Sequence, residues 1–273
     1  MDNSSLPLTR NVSTSYTLSL IVALLIAVVS LIGLLFQASI YPIEELRHSF
    51  IATDVVNLVI VLPILLGSMT LARRGKLMGL LFWPGALFLV TYHYIAYSVA
   101  MPFTWQFVLY LTLVLLSIYT LYLLLLSMDA IAIQGWLRGK VPERFAGGVL
   151  TGFGLLFFVW RGVLVVQTLV GSAGLSQPEL ATGVADVLLA PAWIIGGVLL
   201  WRKQAFGYVT GAGLLFQFSM LFIGLFVYFA LQPFLAGIPF PVDDFVAVFV
   251  MSLVCFIPFG LFVRGVFSAD RKV

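Results

Sequence analysis

The sequence predicts an all-α fold, a polytopic membrane helix bundle. Eight transmembrane helices are expected as two tandem four-helix repeats with parallel pseudo-two-fold symmetry. Three observations carry that prediction. Of 273 residues, 62% are hydrophobic and only 9% charged, whereas a soluble domain carries about 25% charged residues. A water-facing surface cannot be assembled from that inventory. The apolar residues fall into eight runs of about 20 residues, the length a helix needs to cross the hydrocarbon. Finally, the second half of the chain echoes the first.

In chain order the runs are roughly 17–40, 49–72, 77–100, 105–128, 146–170, 180–201, 206–231 and 244–266. Each break has a physical cause. Tyr41-Pro42 with Glu44 and Glu45, Arg73-Arg74-Gly75-Lys76, Met101-Pro102, "GWLRGKVPER", "GSAGLSQPE", Arg202-Lys203 and "GIPFPVDD" supply turn formers or charges that do not sit in hydrocarbon.

Basic residues then set the orientation. Eight alternating spans collect Arg10, Arg73, Arg74, Lys76, Arg138, Lys140, Arg144, Arg202, Lys203, Arg264, Arg271 and Lys272 on one side. Only Arg47 falls on the other, with Glu44, Glu45, Glu179, Asp243 and Asp244, while Arg161 lies inside a span. A prokaryotic plasma-membrane protein with both termini cytoplasmic is expected. Asn3 and Asn11 match the glycosylation pattern, but on the cytoplasmic side they are chance matches. The polar N-terminus lacks the basic region of a signal peptide, so the first span is expected to be retained. The single cysteine, Cys255, allows no internal disulfide. The net charge of +3 is scattered through short loops, so no nucleic-acid partner is expected.

The echo lies at a shift of 129 residues. It lays Gly33 on Gly162, Ala52-Thr53 on Ala181-Thr182, Asn57 on Asp186, Gly67 on Gly196 and Arg73-Arg74 on Arg202-Lys203. The expected division is a cytoplasmic tail (1–14), a first four-helix unit (15–130), a basic linker (131–145), a second unit (146–268) and a C-terminal tail (269–273). Units with an even number of spans share one orientation, which makes the symmetry axis parallel to the membrane normal.

Four ionisable residues lie within spans: Asp54, His93, Arg161 and Asp186. Burying each costs at least about 2.5–3.5 kcal/mol, so each needs a partner or a wet cavity. At 1.5 Å per residue, all four fall about 8–15 Å below the outer helix ends. Neighbouring helices suggest Arg161 with Asp186 and His93 with Asp54, and Asn57 lies one turn from Asp54. Tyr94 and Tyr97 stand near the histidine face. The candidate ligand-binding set is therefore Asp54, Asn57, His93, Tyr94, Tyr97, Arg161 and Asp186. A purely structural ion pair remains an alternative at this level. Trp83 and Trp105 read as an interfacial aromatic belt, and Pro63 and Pro191 as paired kinks.

Several chemistries are excluded. The last span has no lysine for a retinal Schiff base, and two histidines, His48 and His93, are too few for a three-histidine zinc site. "EELRH" reverses the order of a zinc-protease motif. No metal, cofactor or catalytic motif is expected. The stretch "LARRGKLMGLLFWPGALFLVTYHYIAY", residues 71–97, resembles a group of uncharacterised prokaryotic multi-pass membrane proteins. That resemblance implies a prokaryotic membrane protein and no activity.

Three functions fit these residues. The first is a protein that binds, or also transports, a small solute or lipid in an outward-facing polar pocket. There Asp54 and His93 orient the ligand and Arg161 meets an anionic group, and a solvated histidine titrates near neutrality. The second is a sensor or assembly subunit whose 134–145 loop meets a cytoplasmic partner. The third is an intramembrane enzyme using Asp54 and His93 as acid and base.

Overall fold

The computed structural model describes residues 6–270 apart from 173, 236 and 238. Arg271 and Lys272, counted above among the inner basic residues, lie outside the described residues. The first four spans are α1 (Ser13–Leu35), α3 (Glu44–Val56) continued into α4 (Leu62–Arg73), α5 (Leu77–Ala100) and α6 (Trp105–Leu126). The last four are α8 (Glu143–Leu169), α9 (Gln177–Trp201), α10 (Ala205–Leu235) and α11 (Val242–Asp270). Two short helices, α2 (Gln37–Ile40) and α7 (Ala130–Leu137), lie between spans. Among the described residues eight helices are long and apolar enough to cross a membrane. Leu24, Leu115, Val159, Leu188 and Ile257 are exposed on the outside of the bundle, where only lipid can cover such continuous apolar faces. The chain is a multi-pass integral membrane protein.

Contacts between helix ends fix the alternation of spans. Thr9 N–H donates to Ser127 C=O, Gln177 Nε2 to Ala100 C=O and Gln134 Nε2 to Lys203 C=O. The Arg73 guanidinium lies 5.5 Å from the Tyr16 ring centroid. Arg73, Arg74, Lys76, Arg138, Lys140, Arg202 and Lys203 thus gather at one end, the basic end. Glu44, Glu45 and Glu179 mark the opposite, acidic end.

The first span is shorter than its apolar run. It stops at Leu35 rather than near residue 40, and α2 turns the chain so that Tyr41 returns into the protein, 1% exposed. The second span carries a π turn over Asn57–Val61 directly before Pro63. Proline has no N–H and its ring clashes with the carbonyl four residues back. A widened turn accommodates both effects without breaking the helix.

The third span, α5, is the hub. Of its most apolar window 83% is buried, against 22% for α8 and α11. Trp83 therefore does not join an interfacial belt: it is buried and donates through Nε1 to Ser19 Oγ at 2.9 Å. Trp105, by contrast, is exposed. Within each half the four spans close a ring, α1, α3–α4, α5 and α6 in one and α8, α9, α10 and α11 in the other. The halves meet through α5 against α10, α5 against α9 and α10 against α3. The α5 and α10 backbones approach closely at Gly85 and Gly213, where a Cβ on Gly85 would overlap the Gly213 carbonyl. Small residues let membrane helices approach this closely.

The turns that follow the second span of each half are alike. Lys76 N–H bonds Leu71 C=O, and Gln204 N–H bonds Leu199 C=O; Gly75 N–H bonds Ala72 C=O, and Lys203 N–H bonds Leu200 C=O. Gly79 and Gly207 each press on the backbone of the preceding helix, at Ala72 and Leu200. These pairs are offset by 128 residues, not by the 129 of the sequence register. Gly75 has φ 75° and Lys203 φ 56°, a left-handed backbone that costs an L-residue about 1–2 kcal/mol. Lys203→Gly is expected to stabilise the protein by about 1 kcal/mol. Cys255, buried and the single thiol, reports this directly: its labelling by a maleimide dye should shift to higher denaturant.

Candidate functional site

The acidic half of the bundle interior holds two hydrogen-bonded clusters, and α5 contributes to both. In the first, Asp54 of α3 is fully buried. Tyr41 donates to its Oδ2 at 2.5 Å and Tyr97 to its Oδ1 at 2.8 Å. The local sequence makes the space. Gly33 on α1 faces the carboxylate, and a Cβ there would overlap Asp54 Oδ2 and Tyr41 Oη. Asn57, at the start of the π turn, donates through Nδ2 to Tyr97 Oη at a long 3.5 Å. Its Oδ1 lies 2.7 Å from His93 Nδ1.

An amide oxygen only accepts, so His93 Nδ1 carries the proton of that bond. Every donor from His93 through Asn57 and Tyr97 then points towards Asp54. Among the described residues Nε2 of His93 has no hydrogen-bond partner. The carboxylate sits within an aromatic cluster. Phe50 and Tyr97 have centroids 4.6 Å apart, Tyr97 and Tyr110 5.1 Å, and Tyr94 and Tyr97 5.4 Å.

The second cluster joins the halves. Arg161 of α8 donates through Nε to Asp186 Oδ2 of α9 at 2.9 Å and through Nη2 to Thr182 Oγ1 at 2.9 Å. Gly183, one turn before Asp186, leaves the guanidinium room to lie along α9. Tyr92 of α5 completes the carboxylate, donating to Asp186 Oδ1 at 3.0 Å. Tyr92 and His93 are consecutive, so one turn of α5 reaches Asp186 in one half and Asn57 in the other.

Of the sequence-predicted residues, Arg161 and Asp186 form the expected ion pair, and Asp54, Asn57, His93 and Tyr97 lie in one hydrogen-bonded chain. Asp54 and His93 do not pair directly. Asn57 and Tyr97 stand between them, because the π turn rotates Asn57, not Asp54, towards the histidine. Tyr94 is buried against Tyr97, and among the described residues its hydroxyl has no hydrogen-bond partner. Sequence reasoning missed Tyr41, Tyr92 and Thr182. The signal for Tyr92 was its place beside His93, and that for Thr182 its i−4 spacing from Asp186. Tyr41 gave none, since it reads as the start of a loop.

A cavity of about 50 Å³ opens at the acidic end, lined by Ser39, Ile40, Pro42, Thr104, Gln106 and Tyr110, with Met101 and Pro102. Ile40 and Pro42 flank Tyr41, and Tyr110 stacks on the Tyr94–Tyr97 pair. At the basic end, Glu143 accepts from Gly139 N–H at 2.8 Å and Tyr208 Oη at 3.1 Å, which ties the 134–145 loop down while Arg138, Lys140 and Arg144 remain exposed. No protein family, curated protein or solved structure compared with this chain matches it.

Proposed function

We propose that this membrane protein binds a small polar solute or a lipid headgroup in the polar layer between two four-helix units, and that ligand transport uses the same layer. The observation that carries the reading is the pair Tyr92–His93. One turn of α5 bridges the Asp54 cluster of the first half and the Arg161–Asp186 cluster of the second. Glue alone is a weak reason for such an arrangement, because interhelical polar contacts in membranes are worth only about 0.6 kcal/mol on average. Nε2 of His93, which has no hydrogen-bond partner among the described residues, and the Arg161 guanidinium are the groups offered to a ligand, the latter to an anionic one.

The internal duplication belongs to this reading. Gly33 and Gly162, Ala52-Thr53 and Ala181-Thr182, and Asn57 and Asp186 correspond at 129, whereas Pro63 and Pro191, Gly79 and Gly207, and Gly85 and Gly213 correspond at 128. The π turn over Asn57–Val61 lies between the two sets and supplies the one extra residue. A parallel pseudo-two-fold axis between α5 and α10 accounts for the reciprocal packing of each on the other half. The basic end is then cytoplasmic, in a prokaryotic plasma membrane, and the cavity beside Tyr41 faces outwards.

Native mass spectrometry in mild detergent tests the binding. Wild type is expected to carry a discrete adduct that folded His93→Ala and Asp186→Asn lose. Identical spectra for all three would overturn the reading. The exposed Arg138, Lys140 and Arg144 favour a second reading, a cytoplasmic partner at the 134–145 loop. Loss of function on their replacement, with the adduct intact, selects it.

A further inference from the structure

Asp54 and Asp186 are unequal. Asp186 faces an arginine, but among the described residues Asp54 has no salt-bridge partner. Its surroundings are Tyr41 from the connection after α1, Ser30 and Gly33 of α1, Tyr94 and Tyr97 of α5, and Tyr110 of α6. His93 of α5 lies beyond Asn57 and Tyr97. The spans α1, α6 and α10 contain no Asp, Glu, His, Lys or Arg at all. On α3 itself Glu44, Glu45, Arg47 and His48 lie nearer the acidic end than Asp54, and within the polar layer the second half presents Arg161 and Asp186, already paired with each other. A carboxylate sealed in a bilayer interior with no cationic side chain beside it is costly, and the cost falls when the group is protonated.

We propose that Asp54 is a proton-carrying site that alternates between carboxylate and carboxylic acid, with Tyr97 as the hydroxyl that reverses. Size argues for a proton: Gly33, Tyr41 and Tyr97 close on the carboxylate at van der Waals and hydrogen-bond distance, which leaves no shell for a metal ion or an ammonium group. The hydrogen bonds argue for alternation. As a carboxylate Asp54 only accepts, and both tyrosines donate to it. As an acid it must donate once. Tyr97 Oη can receive that bond, because its own O–H has a second acceptor in place, the Phe50 carbonyl at 3.4 Å. Turning one phenol hydroxyl about its C–O bond converts one pattern into the other with no heavy atom moved. The proton comes from solvent hydronium: the cavity beside Ile40, Pro42 and Tyr110 is large enough for water but does not touch Asp54, so delivery requires the Tyr41 connection to move aside transiently. The carboxylate and hydronium become acid and water, only O–H bonds change, and Tyr41 donates to Oδ2 before and after.

This inference adds a proton to the layer proposed above but is read without any solute, so the two can fail separately. The experiment is infrared titration of the protein in lipid nanodiscs, with and without carboxyl-¹³C aspartate, from about pH 4 to about pH 10. The expected wild-type spectrum contains a protonated-carboxyl C=O band that grows as pH falls and moves with the isotope. It persists in Asp186→Asn and vanishes in Asp54→Asn. Tyr97→Phe should displace both its frequency and its midpoint, which a passive packing residue would not. That variant carries the assignment if Asp54→Asn does not fold. No isotope-sensitive band, a band constant across the range, or a band unmoved by Tyr97→Phe overturns the proposal.

Discussion

Arg161→Ala is expected to destabilise the protein by about 3–5 kcal/mol, because it leaves a buried carboxylate without its cation. Asp186 is 6% exposed and would retain only the Tyr92 hydroxyl. Thr182 would lose the Nη2 donor. The measurement is the midpoint of unfolding in a mixed detergent titration, followed by dye labelling of Cys255. The informative partner is Arg161→Met with Asp186→Leu. Replacing a buried pair by apolar side chains of similar volume is often neutral, or stabilising by about 1–4 kcal/mol. If the double variant is as stable as wild type yet loses the ligand adduct, the pair is kept for binding. If it is as unstable as Arg161→Ala, the pair holds α8 to α9, and the binding reading loses its second wall.

The expectation that Arg161 and Asp186 would meet was sound because adjacent spans joined by a short loop must pack together, and two opposite charges at one depth have no better partner. Depth came from counting residues along helices, and for this reason the whole polar layer was legible. Rotation was not. Asp54 and Asn57 lie on one face in an ideal helix, so either could have faced His93. The π turn decides in favour of Asn57, and nothing in the apolar run around it marks a widened turn except the proline two residues after it ends. The expected repeat register meets a one-residue offset after the same turn. A gapless shift of 129 residues aligned Arg73-Arg74 with Arg202-Lys203, while the backbone of the turns corresponds one residue earlier, Gly75 with Lys203. Tyr41 was illegible for a different reason. It lies 13 residues from Asp54 in the chain, and only the early end of α1 at Leu35 brings it back to the carboxylate. Trp83 misled because an aromatic near a span end ordinarily meets the headgroups, and composition does not show that α5 is surrounded by protein.

The close approach of α5 and α10 yields the other large effect. Gly85→Leu is expected to cost about 3 kcal/mol, at the upper end for overpacking, because the group it meets is the Gly213 carbonyl rather than a side chain that can swing away. Gly67→Leu is the control: it makes the same change in another transmembrane helix where a Cβ meets nothing within 4 Å, and it should stay within about 0.5 kcal/mol of wild type. The two differ in where the side chain must go, so a difference in Cys255 labelling midpoint isolates the helix contact from helix propensity. Because α9 packs on α10 as well as on α5, moving α5 off α10 is also expected to draw Tyr92 away from Asp186 of α9, while leaving the Tyr41–Asp54–Tyr97 bonds within the first half. Arg161→Ala should therefore cost more in the Gly85→Leu background than alone, since Asp186 then loses its last donor, and the excess measures the coupling between the glycine contact and the polar layer. Additive losses would mean that the halves are held together independently of that layer, and that α5 bridges the two clusters without transmitting anything between them.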